Sequence, residues 1–364
     1  MGWRRGQPPL LLRLLQAAAQ ESSPAPGALL AAEVRWATES GLGPLLAHVL
    51  GDRLDSQPAA IVDTVRGAEL WARLTTADRL DALADVLDRC GGLDDPPTLL
   101  KGISVCEEFY PAAHLRPMAD IDILVDEAAI PQVENALLQL GYRRDSPKPP
   151  AFYETHHHTT PFVHADTGVW VEVHRDLFPA QLATLASDPA FSRARVRAER
   201  RRSEFRGRPV YRLTPELQLL YLSTHWALEL RRVGGLVPIL DVMYLLRATP
   251  RLDWRKITAW LGRSSATRCV HLAVSYAARH GLGAVPPEVL TALAAAPGGL
   301  GWAERVVLHR VLDRHLLSAR RPGRLGARNA RVAWDTLVGP GQPRHGWLGL
   351  SVRLLPRLKR RPRA

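Results

Sequence analysis

Residues 120–125 read Asp-Ile-Asp-Ile-Leu-Val, with acids and β-branched apolar residues alternating at the start. In a strand, residues two apart point the same way. Ile121, Ile123 and Val125 therefore anchor a buried face, while Asp120 and Asp122 project together from the other. Two carboxylates held side by side repel, and burial without compensation is unfavourable. A divalent cation meets that need, because Mg²⁺ prefers carboxylate oxygens together with waters and substrate phosphates. A wet face on an edge strand would account for an isolated D-x-D equally well.

The flanking sequence adds chemistry to this strand. Upstream, the apolar run Thr98-Leu99-Leu100 ends in Lys101-Gly102. A glycine there lets backbone approach a phosphate closely, and Lys101 or Arg116 can neutralise phosphate charge. Downstream, Val169, Val171 and Val173 alternate with Trp170, Glu172 and His174, which predicts a second strand with one acid opposite its valines. A glycine-ended strand, a D-x-D strand and a third acidic strand supply what metal-assisted phosphoryl transfer needs.

The rest of the chain divides by period. Residues 1–92 read as helical: Leu80, Leu83, Ala84 and Leu87 recur at helical spacing, Thr75 or Thr76 is available as a cap, and Cys90-Gly91-Gly92 is a stop. Residues 93–212 interleave strands with a helix over Ile130–Leu140 that closes at Gly141, an α/β or α+β core. Residues 213–319 are again helical. Thr214-Pro215 marks one start, a second helix follows Pro238, and Asp253 can cap a third. Residues 320–364 form a Pro-, Gly- and Arg-rich basic tail that reads as poorly ordered.

Composition narrows the class. The net charge is +12, and Arg314–Ala364 carries 13 Lys and Arg against one acid, so the excess belongs to the tail. Such a tail can bind nucleic acid, anionic lipid or an acidic partner, or simply be solvated. Three scattered cysteines, Cys90, Cys106 and Cys269, fit no disulfide framework and point to a reducing compartment. Arg13 interrupts the run Leu10-Leu11-Leu12, and Gly6 stands where myristoylation wants Ser or Thr. We therefore expect a short amphipathic N-terminal helix, no transmembrane segment and a cytoplasmic location.

His156, His157, His158, His164 and His174 crowd into a short stretch. One or two can stand beside a nucleotide or act as acid/base. A zinc site is conceivable, and so is structural hydrogen bonding. In a strand only His156 and His158 would share a face, while His174 shares one with Glu172. Asp241 and His225 fall in helical patterns and are expected to be satisfied locally. Trp170, Trp226, Trp254 and Trp260 are expected in the core.

The stretches Leu99-Leu-Lys-Gly102, Phe109-Tyr-Pro111 and Leu115-Arg-Pro-Met-Ala-Asp-Ile-Asp-Ile-Leu-Val125 resemble the uncharacterised nucleotidyltransferase family of bacteria. So do His156-His-His158 with Pro161-Phe162, Val171-Glu-Val-His174, Leu240-Asp-Val242 and Leu252-Asp-Trp254. The resemblance implies an α+β fold: a nucleotidyltransferase palm like that of polymerase-β-like enzymes, flanked by N-terminal helices and a C-terminal helical domain. It implies Asp120 and Asp122 as ligands of Mg²⁺ or Mn²⁺, with Glu172 as the third carboxylate. Lys101, Gly102, Ser104, Arg116, His158 and His174 are the expected nucleotide contacts. The chain departs from minimal nucleotidyltransferases in its longer Gly102-to-Asp120 spacing, and in placing Ile103-Ser104 where a direct Gly-Ser is common.

The expected activity is transfer of a nucleoside monophosphate from an NTP to a hydroxyl acceptor. Family members often sit beside peptide natural-product genes, so the acceptor can be a peptide or a small molecule. Three other functions compete. One is a non-catalytic nucleotide- or peptide-binding protein of the same fold. Another is a His-rich metal-dependent hydrolase. The last is an RNA-directed transferase that uses the basic tail.

Overall fold

The computed structural model describes residues 10–22, 29–229 and 237–317. The expected tail over 320–364, and the start of the expected N-terminal helix, lie outside the described residues. Helices α1 (Leu10–Gln20), α2 (Ala31–Glu39) and α3 (Gly43–Leu50) precede a long α4 (Ala59–Arg89). Next come β1 (Thr98–Leu100), α5 (Lys101–Glu108), β2 (Asp120–Leu124), α6 (Ile130–Gln139), β3 (Tyr142–Arg144) and α7 (Pro150–Glu154). β4 (Phe162–His164), β5 (Trp170–His174), α8 (Ala183–Ala186), α9 (Arg193–Ala198), β6 (Arg200–Phe205) and β7 (Arg208–Leu213) complete the mixed region. Helices α10 (Pro215–Glu229), α11 (Val237–Ala248), α12 (Trp254–Leu261), α13 (Thr267–His280), α14 (Pro287–Ala295) and α15 (Trp302–Leu316) follow. The chain is α+β, and no described helix is long and apolar enough to cross a membrane.

One boundary differs from the pattern reading. α4 starts at Ala59, well before Thr75 and Thr76, and Thr75 donates its hydroxyl back to the Trp71 carbonyl from mid-helix. The early half hides its helical period because only Ile61, Val65 and Ala72 of it are buried, while Leu70, Trp71 and Leu74 are exposed. α10 starts at Pro215, where the Thr214-Pro215 pair sets it, and the Thr214 hydroxyl donates to Glu199 Oε2 at 3.1 Å. Asp253 does cap α12, accepting from the Lys256 amide at 2.9 Å.

Among the described residues the strands form one mixed sheet in the order β3-β4-β5-β2-β1-β7-β6. The two strands singled out by alternation lie side by side: β2 and β5 pair in parallel, with Asp120 opposite Trp170, Asp122 opposite Glu172 and Leu124 opposite His174. On the other side of β2, antiparallel β1 sets Leu100 opposite Asp122. The valine and isoleucine faces of β2 and β5 pack on one apolar core with Leu83 and Leu87 of α4 and Val133 and Leu137 of α6. Burying each such side chain contributes about 1.5–3 kcal/mol. The opposite face carries the acids, and Leu124 on that face packs against the second core. That core joins α1–α3 and the Leu100–Tyr110 segment to α10–α15, with Tyr221, Trp226, Tyr244 and Tyr276 fully buried in it. The acidic face of the sheet is thus turned toward the C-terminal helices.

Candidate active site

Strand register assembles the site. Asp122 sits on a central strand, 2 % exposed, with Glu172 level with it on the parallel neighbour. Lys101 Nζ donates to Asp122 Oδ1 at 2.7 Å, and His174 Nε2 donates to the same oxygen at 2.7 Å. Glu172 Oε2 lies 3.7 Å from His174 Nε2 and 3.6 Å from His158 Nε2. Asp120 stands two residues before Asp122 on the same face of β2. Asp122, Glu172 and His174 each bring a ligand atom within 4.8 Å of the others.

Lys101 reaches this position through an unusual backbone. Strand β1 ends at Leu100 and α5 begins at the next residue, and Lys101 makes the junction with φ +47°. A non-glycine residue there is strained by roughly 1–3 kcal/mol. The buried ion pair with Asp122 holds the lysine in place. Gly102 follows for a different reason from backbone freedom. A Cβ on it would stand 2.7 Å from Met118 Cγ and 2.8 Å from an Arg116 nitrogen, so only glycine admits the 116–118 segment this close.

The electrostatics divide the carboxylates. Asp120 is pushed up to about 7 by burial and by the charges of Asp122 and Glu172, against the pull of Lys101 and Arg116. Burial opposes ionisation of Asp122 too, but Lys101 and His174 overcome it and hold that carboxyl well below the usual carboxylate range. Glu172 likewise resists burial and is brought down to about 2 by His158 and His174. Burial would discharge Lys101, yet Asp122 and the other acids hold its ammonium well above the ordinary lysine value. His174 is raised despite burial by its bonds to Asp122 and Glu172. Burial lowers His158, brings His156 down to about 3 with the help of His158, and holds His157 well below the ordinary value.

These observations test whether a divalent cation fits. The donors are hard carboxylate oxygens, the set preferred by Mg²⁺ and Mn²⁺. Asp120, raised by burial and then by its like-charged neighbours, is a carboxylate whose ionised form a cation beside it would stabilise. The residues therefore fit the group.

The other expected contacts fall in several places. His158 and His174 stand against Glu172, joined by a bridge between their backbones. Arg116 does not point at the carboxylates. Its guanidinium forms a bidentate pair with Asp241, at 2.9 Å to Oδ1 and 2.8 Å to Oδ2, and Tyr110 donates to the same carboxylate at 2.5 Å. Asp241 thus pairs across 125 residues of sequence rather than locally. Ser104 is buried in α5, its hydroxyl has no partner among the described residues, and its carbonyl accepts from Arg212. The three histidines do not alternate as in a strand. They follow a bend, which brings all three rings together, with centroids 4.2–4.7 Å apart. Asp122 holding both Lys101 and His174 could not be read from spacing, since the three come from separate elements. Cys90, Cys106 and Cys269 are buried free thiols.

A family model described as uncharacterised nucleotidyltransferase matches residues 31–281. No curated protein and no solved structure matches the chain.

Proposed function

Because the chain belongs to the uncharacterised nucleotidyltransferase family, we propose that it transfers a nucleoside monophosphate from an NTP to a hydroxyl of a peptide or small molecule. The observation that carries this reading is the convergence of Asp120, Asp122 and Glu172 on one face of β2 and β5, with Lys101 among them. Asp120, Asp122 and Glu172 would hold Mg²⁺ or Mn²⁺, which when bound neutralises triphosphate charge and lowers the pKa of an attacking hydroxyl. In the reaction the acceptor hydroxyl gives its proton to solvent, its oxygen bonds to the α-phosphorus, the bond from that phosphorus to the bridging oxygen breaks, and pyrophosphate leaves.

The protein groups prepare the place for this exchange. Lys101 and His174 keep Asp122 ionised and fix one of its oxygens. His158 donates Nδ1–H to the Thr159 carbonyl at 2.7 Å, which directs its Nε2 to Glu172. Arg116, held by Asp241, packs over Gly102 and ties the Lys101 turn to α11. In this reading Arg116 is a positioning residue, and Lys101 is the cation nearest the transferred phosphate. The C-terminal helices face the acids and would enclose nucleotide and acceptor, a preorganised setting worth more than exposed charges.

The test is thermal unfolding with each NTP, with and without Mg²⁺, for the wild type and Asp120→Asn. A ligand that binds only the folded state adds about 2.7 kcal/mol at 100 times its Kd. The expected result is Mg²⁺-dependent stabilisation by at least one NTP, lost in the variant. No NTP effect, or one of equal size in Asp120→Asn, would remove the metal-nucleotide site.

A further inference from the structure

The bend before β4 holds three imidazoles that the transfer reaction does not require together. One ring nitrogen from each of His156, His157 and His158 lies within 4.8 Å of the others. His156 and His158 are buried, at 7 % and 5 % exposure. The Nδ1 atoms of His156 and His157 are buried with no hydrogen-bond partner among the described residues. An orphaned buried polar atom costs about 1–3 kcal/mol, so two in adjacent side chains need a physical reason. His158 already donates Nδ1–H to the Thr159 carbonyl at 2.7 Å. That leaves its Nε2 with a lone pair, the arrangement by which metal-bound histidines fix their tautomer.

We infer that His156, His157 and His158 form a second metal site, one for a transition cation of the zinc type, distinct from the oxygen site on Asp120, Asp122 and Glu172. The donor chemistry separates the two: imidazole nitrogens select zinc and its neighbours, whereas carboxylate oxygens suit Mg²⁺ and Mn²⁺. Three histidines complete all but one position of a four-coordinate zinc shell. The site adjoins the carboxylates, because His158 Nε2 is 3.6 Å from Glu172 Oε2 and the His157 ring stands 5.0 Å from that of His174. A metal there would pin the bend that sets His158 against β5. The inference stands on the bend and its orphaned nitrogens, and does not need nucleotidyl transfer to be correct.

The test uses the untagged full chain stripped of metal. Zn²⁺ is titrated by calorimetry and Co²⁺ by its visible absorption, each with and without excess Mg²⁺. The expected result is one equivalent of Zn²⁺ that Mg²⁺ does not displace, with a Co²⁺ spectrum of nitrogen-rich, four- or five-coordinate type. The double variant His156→Gln/His157→Gln should weaken Zn²⁺ binding by roughly 100-fold or more. Asp120→Asn should leave it within about threefold. Wild-type protein that takes up no stoichiometric Zn²⁺, or that gives an octahedral oxygen-type Co²⁺ spectrum, overturns the proposal. So does Mg²⁺ displacement, or loss of Zn²⁺ in Asp120→Asn equal to that in the double variant. The wild-type spectrum reports the ligands directly, so the proposal stays testable if the double variant misfolds.

Discussion

Asp120→Asn replaces one carboxylate of the acidic face with a neutral group of nearly the same shape. In the folded protein Asp120 holds its proton up to about pH 7, by reason of burial and the charges of Asp122 and Glu172. In the unfolded chain its value is the ordinary 3.8. A raised folded pKa means that the folded state binds this proton more tightly. The destabilisation is therefore absent below pH 3.8, grows as pH rises from there to 7, and is constant above. At about 1.4 kcal/mol per pKa unit the plateau is roughly 4 kcal/mol, and allowing for partial solvent access, about 2–4 kcal/mol. Without metal, Asp120→Asn should gain that amount at pH 8. A chain of this size shifts by about 2 °C per kcal/mol, so the gain reads as roughly 4–8 °C in Tm. The assay is calorimetric or fluorescence-monitored unfolding in chelator at pH 4 and pH 8, repeated at pH 8 with excess Mg²⁺. At pH 4 the two proteins should nearly coincide, and Mg²⁺ should raise the wild type more than the variant. A variant no more stable than wild type at pH 8, or one with an equal gain at pH 4, refutes the reasoning.

Two further outcomes follow from the same geometry. Lys101→Met removes the ammonium from a buried pair and leaves Asp122 short of countercharge. Equilibrium urea unfolding should show a loss of about 3–5 kcal/mol, and a loss under about 1 kcal/mol would mean that the pair is not buried as described. Gly102→Ala places a methyl 2.7 Å from Met118 Cγ and should cost about 1–3 kcal/mol in the same assay. Adding Met118→Ala should remove part of the clash, and strictly additive losses would contradict the close approach.

The local parts of the fold were legible in the residues. Alternation over Asp120–Val125 and Val169–His174 marks β2 and β5, because a period of two has no other use in a half-buried segment. Gly141 and Asp253 mark helix ends through backbone freedom and side-chain capping, both of which act within a few residues. α4 was harder to read, since its first half leaves Leu70, Trp71 and Leu74 exposed and shows too few buried positions to display a period. The histidine run left strand and bend open, because three identical residues do not distinguish the two.

By itself the sequence determined that Asp120 and Asp122 share a face, that Glu172 lies on another strand, and that helices flank the mixed region. Those follow from periodicity, which is a property of neighbours in the chain. Only the tertiary structure decided that β2 and β5 pair in parallel and in register, which sets Glu172 beside Asp122. It also decided that Lys101 and His174 meet on one oxygen of Asp122, and that Arg116 goes to Asp241 rather than to the acids. These partners lie 21, 52 and 125 residues apart. Their meeting depends on which strands pair and which helices cover the sheet, and burial of the two apolar cores sets that choice for the whole chain at once.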